Sequence, residues 1–172
     1  MNSQTTPTPS PDAIVSNASG LPQWSHDYAG AWIGLLATHR SLTRELDAEL
    51  EAAHGLTLSG LELLVRLASA PEHWLRLSAL AQGAGLSLSR VSRIVDALEA
   101  RGLLERRPCD ADARAINAVL TPAGVELAKA AQATHLAAVR ERFFDQLSDV
   151  EVATLAQVFL RFSPDAAAAC SG

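Results

Sequence analysis

Three serines and two arginines crowd the stretch Ser87-Leu88-Ser89-Arg90-Val91-Ser92-Arg93. Short hydroxyls and guanidinium forks at helical spacing suit binding better than bond-making: they grip phosphates by charge and read base edges by paired hydrogen bonds. No arrangement for covalent chemistry appears. There is no Gly-rich phosphate loop, no nucleophile elbow and no Ser/His/Asp set at a usable spacing. Histidines 26, 39, 54, 73 and 135 are scattered, and Cys109 and Cys170 show neither CxxC spacing nor a histidine cluster nearby. The expectation is a binding protein without metal or cofactor, not an enzyme.

The element that must carry these residues is a short helix. Val91, Ile94, Val95 and Leu98 fall at i, i+3, i+4 and i+7 and form one apolar stripe. Ser89, Arg90, Ser92 and Arg93 then occupy the opposite arc. Ser87 precedes the helix as an N-cap, and Gly102 follows it where a positive φ is needed. Beyond Gly102, residues 103–107 and 115–120 are expected to pair as strands across a turn rich in Pro and Asp. Arg114 falls near the tip of that hairpin, placed to reach a narrow minor groove, with Asp112 able to orient it. A solvated surface arginine is the competing reading.

Read in order, residues 77–121 give two short helices, a hairpin and a new helix start. The segment resembles the MarR regulators of bacteria. The resemblance rests on Ser87-Leu88-Ser89, Ser92-Arg93, Gly102 to Arg107, Asp112-Ala113-Arg114 and Leu120-Thr121-Pro122-Ala123-Gly124. Each piece is weak alone, whereas their order and spacing are specific. The likeness extends over roughly residues 27–163. Ala113 departs from it, since the family often places a second basic residue there. The resemblance implies a mainly α fold with a small β-wing: a winged helix-turn-helix at about 57–121, flanked by dimerisation helices at about 26–54 and 122–163. A flexible arm at 1–25 and a tail at 164–172 complete the expected organisation.

The flanking segments fit that outline. Trp32, Leu35, Leu36, His39, Leu42, Leu46 and Leu50 recur at helical spacing before Gly55. Thr121 and Pro122 open a second long helix with Leu136, Val139, Phe143 and Leu147 expected on its inward side. Ser148-Asp149-Val150-Glu151 reads as a capping box ahead of a stripe of Val152, Leu155, Phe159 and Phe162. Interleaving of the terminal helices from two chains would bury these stripes in a homodimer, with a pseudo-palindromic operator as the double-stranded DNA partner. A monomeric bundle is the alternative.

In MarR regulators a crevice between the dimer helices and the winged domain commonly binds small aromatic anions, and the resemblance implies a repressor released by such an effector. Candidates for the crevice are Trp32, His39, Glu62, Arg66, Arg93 and Arg106. Each has a plainer reading. Trp32 and His39 lie on an apolar stripe, where core packing competes, and Glu62 fits a capping box with Ser59. Glu62, Arg93 and Arg106 also resemble the acid and two arginines of urate-responsive members, with Glu in place of Asp.

At 172 residues and 48% apolar content the chain is expected to bury one core. No apolar run approaches a membrane span and no leader pattern opens the sequence, so a cytoplasmic location is expected. The net charge of −5 argues against a polyanion partner. Its distribution argues less so: Arg90 to Arg114 holds six arginines against five acids, while Asp47, Glu49, Glu51, Asp145, Asp149 and Glu151 lie in other expected helices. The contrasting possibility is a winged helix that binds other proteins.

Overall fold

The computed structural model describes residues 13–109 and 112–162, with backbone alone at Cys109 and at 112–114. The chain divides into two units at Arg44/Glu45. In the first, β1 (Ile14–Ser16) and β2 (Pro22–Trp24) pair antiparallel, and α1 (His26–His54) begins. The second unit holds the last turns of α1, then α2 (Leu58–Ser69), β3 (Trp74–Arg76), α3 (Leu77–Ala84) and α4 (Leu88–Ala100). It continues with β4 (Leu104–Cys109), β5 (Asp112–Leu120), α5 (Pro122–Arg142) and α6 (Asp149–Phe162).

The hairpin lies inside the segment expected to be a flexible arm. Its cause is local: Asn17 Oδ1 accepts from the N–H groups of Ser19 and Leu21, both at 2.9 Å, and Gly20 takes φ +75°. An Asx turn of this kind closes a ladder without apolar periodicity, the signal a composition reading relies on. The parts of the arm before residue 13 and the expected tail at 164–172 lie outside the described residues.

Helix boundaries follow the capping chemistry. Thr57, Ser87 and Thr121 each accept a hydrogen bond from the amide three residues on, at 3.1, 3.3 and 3.1 Å. Ser148 and Glu151 exchange reciprocal bonds as a capping box. The expected box at Ser59–Glu62 does not form. Thr57 is the N-cap of α2, so Glu62 sits too far into the helix and turns to Arg66 instead, one turn on. Asp47 Oδ1 also accepts from the Leu58 amide at 2.7 Å, tying the end of α1 to the start of α2.

One leucine-rich core holds the second unit. Leu50, Leu63, Leu64, Leu67, Leu80 and Leu104 are fully buried, joined by Val91 and Val95 of α4. Each such side chain contributes roughly 1.5–3 kcal/mol relative to exposure. On α5 the inward face is Gly124, Ala128, Ala131 and Ala138 rather than the large residues the spacing suggested; Leu136 is 57% exposed. Small residues allow a close approach to α2; of the larger ones Val139 is half-buried, while Phe143 and Leu147, also half-buried, lie beyond the end of α5 at Arg142.

The sheet order is β3-β5-β4, all antiparallel. The wing strands run longer than expected, because the ladder continues through Pro108, paired with Ile116. Proline is tolerated there because β4 is an edge strand.

Candidate nucleic-acid interface

The α4 helix buries Val91, Val95 and Leu98 and half-buries Ile94, as its stripe dictates. Ser87, Ser89, Arg90 and Arg93 are exposed. Ser87 Oγ lies 3.2 Å from Ser89 Oγ, and Arg90 Nη2 donates to Ser59 Oγ at 3.2 Å. No acid among the described residues pairs with Arg93. A helix amino-terminus carries partial positive charge, so the hydroxyls, two guanidinium groups and the dipole all favour an anionic partner at this end.

Ser92 departs from the sequence assignment to that arc. It is half-buried, and its carbonyl and hydroxyl accept from Arg106 Nη2 at 3.0 and 3.4 Å. The i+1 position beside Val91 lies at the flank of the buried stripe, facing the wing.

Arg106 on β4 is the hub of this flank. Its guanidinium reaches Asp96 at 2.7 Å and Glu99 at 2.5 Å, and its amide donates to Glu99 Oε1 at 2.9 Å. Two acids that would repel phosphate are thereby neutralised by the wing, and the wing is fastened to α4. The Arg106 amide, and then its side chain, hold the Glu99 carboxyl below the ordinary glutamate range. Because the folded value is depressed, the stabilisation is complete above the ordinary range and is lost as pH falls through the lowered value. Protection of the Arg106 amide from hydrogen exchange, corrected for intrinsic rate, is therefore expected to hold at neutral pH and to collapse in acid. In Glu99→Gln it should be low at neutral pH already; equal protection in both proteins would contradict this anchoring.

Asp112 and Arg114 belong to β5, next to the wing turn, with Asp112 opposite Cys109. Their side chains, like that of Cys109, and Cys170 lie outside the described residues.

Of the six residues expected around a ligand crevice, the four in the second unit fall into three separate places. Glu62 and Arg66 pair at 3.0 Å and line a groove of about 470 Å³ between α2 and α5, floored by Leu61 and Val65. Arg93 lines a different groove, with Arg90, Arg101 and Glu51. Arg106 is held by Asp96 and Glu99. Trp32 and His39 are exposed in the first unit, Trp32 by 53%, so the core reading of Trp32 does not hold there.

Sequence reasoning missed two residues of the α2–α5 groove, Gln132 and His135. The His135 Nδ1 atom is buried without a hydrogen-bond partner, and burial lowers the pKa of the ring. Nothing in its sequence neighbourhood, a run of alanines, marks it. Among the described residues no group of three or more His, Cys, Asp or Glu could hold a metal ion, and no helix is long and apolar enough to cross a membrane.

Comparison with known proteins matches residues 54–115 to the MarR family model. Among curated proteins none matches the chain. AbsC, a MarR family transcriptional regulator from Streptomyces coelicolor, is 29% identical; the match covers 85% of this chain and 98% of that one, with a TM-score of 0.76. Sco3205, a MarR family regulator from the same organism solved in complex with DNA, is 29% identical over 82% of this chain and 92% of its own, with a TM-score of 0.77. A point mutant of MarR from E. coli, complexed with operator DNA, is 22% identical over 78% and 92%, with a TM-score of 0.66; it supports the fold alone.

Proposed function

Residues 54–115 make this a MarR-family chain, and from that premise we propose that it is a dimeric transcription repressor released by a small aromatic acid. The family is one of DNA-binding transcription regulators, not of enzymes. One observation carries the reading: α4 exposes Ser89, Arg90 and Arg93 while its apolar face is buried and its acids are neutralised by Arg106.

In this reading α4 enters the major groove, with Arg90 and Arg93 on bases or phosphates and Ser87 and Ser89 beside them, while Ser92 holds the wing. Arg114, beside the wing turn and oriented by Asp112, reaches the adjoining minor groove. Affinity falls steeply with salt, because each neutralised phosphate releases condensed counterions.

Homodimerisation follows from unburied apolar surface. No residue of α6 is buried, and Val150 and Phe162 are 76% and 80% exposed. In the first unit Tyr28, Trp32, Ile33, Leu35 and Leu36 are exposed as well. Apolar stripes of this length are covered in a stable assembly. A second copy covers them under twofold symmetry, which makes the operator pseudo-palindromic.

The α2–α5 groove receives the effector. Arg66, paired with Glu62 in the same groove, turns to the ligand's acid group, Leu61 and Val65 give an apolar floor, and the His135 ring an unsatisfied nitrogen. Such a ligand acts only through its difference in affinity between the DNA-competent and incompetent dimers; a tenfold loss of operator affinity requires about 1.4 kcal/mol of coupling.

The test is a titration of purified protein on the DNA flanking its own gene and on an unrelated duplex at several salt concentrations. Sedimentation at micromolar concentration and a panel of aromatic acids accompany it. Expected are a dimer, a salt-sensitive preference for the native fragment, and a weakening by at least one acid. Equal, salt-independent binding to both duplexes would instead favour a protein-interaction module.

A further inference from the structure

Arg101 caps the end of α4 and lies away from its exposed serines and arginines, yet both terminal nitrogens of its fork are engaged. Nη1 donates to the Gly55 carbonyl at 2.6 Å and Nη2 to the His54 carbonyl at 2.8 Å. These carbonyls close α1, where unpaired acceptors and the negative end of the helix dipole favour a cation. Gly55 takes φ +62° there, and the space a Cβ would occupy is bounded by the Arg101 guanidinium at 3.6 Å. The ring of His54 hydrogen-bonds Thr134 Oγ1 of α5 at 2.8 Å. A single turn at the end of α1 is therefore tied to α5 by a side chain and to α4 by two main-chain acceptors.

We propose that Arg101 is a positioning residue that sets the pitch of α4 against the end of α1, and so governs discrimination between operator and other DNA without touching DNA itself. Two parallel bonds from a planar group to successive carbonyls fix direction as well as distance, which a lysine ammonium does not do. Arg101 also precedes Gly102, whose φ of +69° turns the chain into β4. Loosening the fork releases α4 from the end of α1, while the bonds of Arg106 to Ser92, Asp96 and Glu99 still hold the helix to the wing. The inference rests on the reading of α4 as the DNA-reading helix.

The experiment compares the full-length protein with Arg101→Lys and Arg101→Ala on the native fragment and the unrelated duplex over a salt series, below the thermal midpoint of each protein. Both variants are expected to lose about tenfold of the preference for the native fragment. The salt dependence of Arg101→Lys should stay that of the parent, since no phosphate contact is lost. If Arg101 instead touches phosphate, Arg101→Ala will bind both duplexes more weakly by the same factor, its salt slope will drop by about 0.9, and Arg101→Lys will restore binding. That outcome overturns the proposal, as does an unchanged preference in Arg101→Lys. Should the parent itself show no preference, the regulator reading fails separately. Hydrogen exchange at residues 98–103 then decides: faster exchange in Arg101→Lys, with α2 unchanged, supports the strut, and equal exchange overturns it.

Discussion

Replacing Gly124 with alanine is expected to destabilise the protein by about 3 kcal/mol, although alanine is the better helix former. A Cβ at this position would lie 2.0 Å from the Leu103 carbonyl oxygen, 3.0 Å from its carbon and 2.9 Å from Leu120 Cδ2. Two of those neighbours are backbone, so no side-chain rotation relieves the contact. The Leu103 oxygen is also the acceptor for the Thr121 amide at 3.1 Å, and Thr121 Oγ1 donates to the Gly102 carbonyl at 2.8 Å. Pushing α5 outward strains the junction that seats it on the start of the wing. Denaturant unfolding of Gly124→Ala should show a midpoint shift in that direction with little change in slope. Gly34→Ala is the contrast. Nothing lies within 4 Å of its Cβ position in α1, so the helix propensity of alanine should give a gain of about 1 kcal/mol. An unaltered midpoint for Gly124→Ala would contradict the close approach.

Removal of the Arg93 side chain is expected to leave folding intact and to cost about 1–3 kcal/mol of operator binding. The side chain is exposed on α4, and no acid among the described residues holds it, so its loss leaves no buried partner unpaired. Arg90 differs, because its fork already reaches Ser59. If Arg93 reads a base, Arg93→Ala loses discrimination between the native fragment and an unrelated duplex. If it grips only phosphate, both affinities fall together and the salt slope drops by about one. Competition titrations at two salt concentrations separate these cases. Binding equal to the parent on both duplexes would remove Arg93 from the interface.

Much of the architecture is legible in the chain because it depends on neighbours in sequence. The caps at Ser87 and Thr121, the box at Ser148–Glu151 and the positive φ at Gly55 and Gly102 are local devices. So is the stripe of α4, whose periodicity needs only a core to face. The capping box at Ser59–Glu62 fails for a related reason: two hydroxyl residues, Thr57 and Ser59, compete for one helix start, and the sequence carries no rule that selects between them. The hairpin at 14–24 escapes a reading by pattern because its order comes from one asparagine side chain rather than from periodicity.

Amino-acid sequence by itself determined the winged-helix order, the starts of α4, α5 and α6 and the face of α4 that offers Arg90 and Arg93. Tertiary structure decided what distant residues do to one another. Arg106, a crevice candidate by sequence, meets Glu99 only because β4 folds back on α4 and pairs them. Arg101 finds its carbonyls 46 and 47 residues away. The inward face of α5 goes to its alanines because α2 comes close, not because they are the most apolar choice. Local hydrogen bonds and periodicity are written into adjacent residues, whereas charge pairing and packing distance depend on which elements meet.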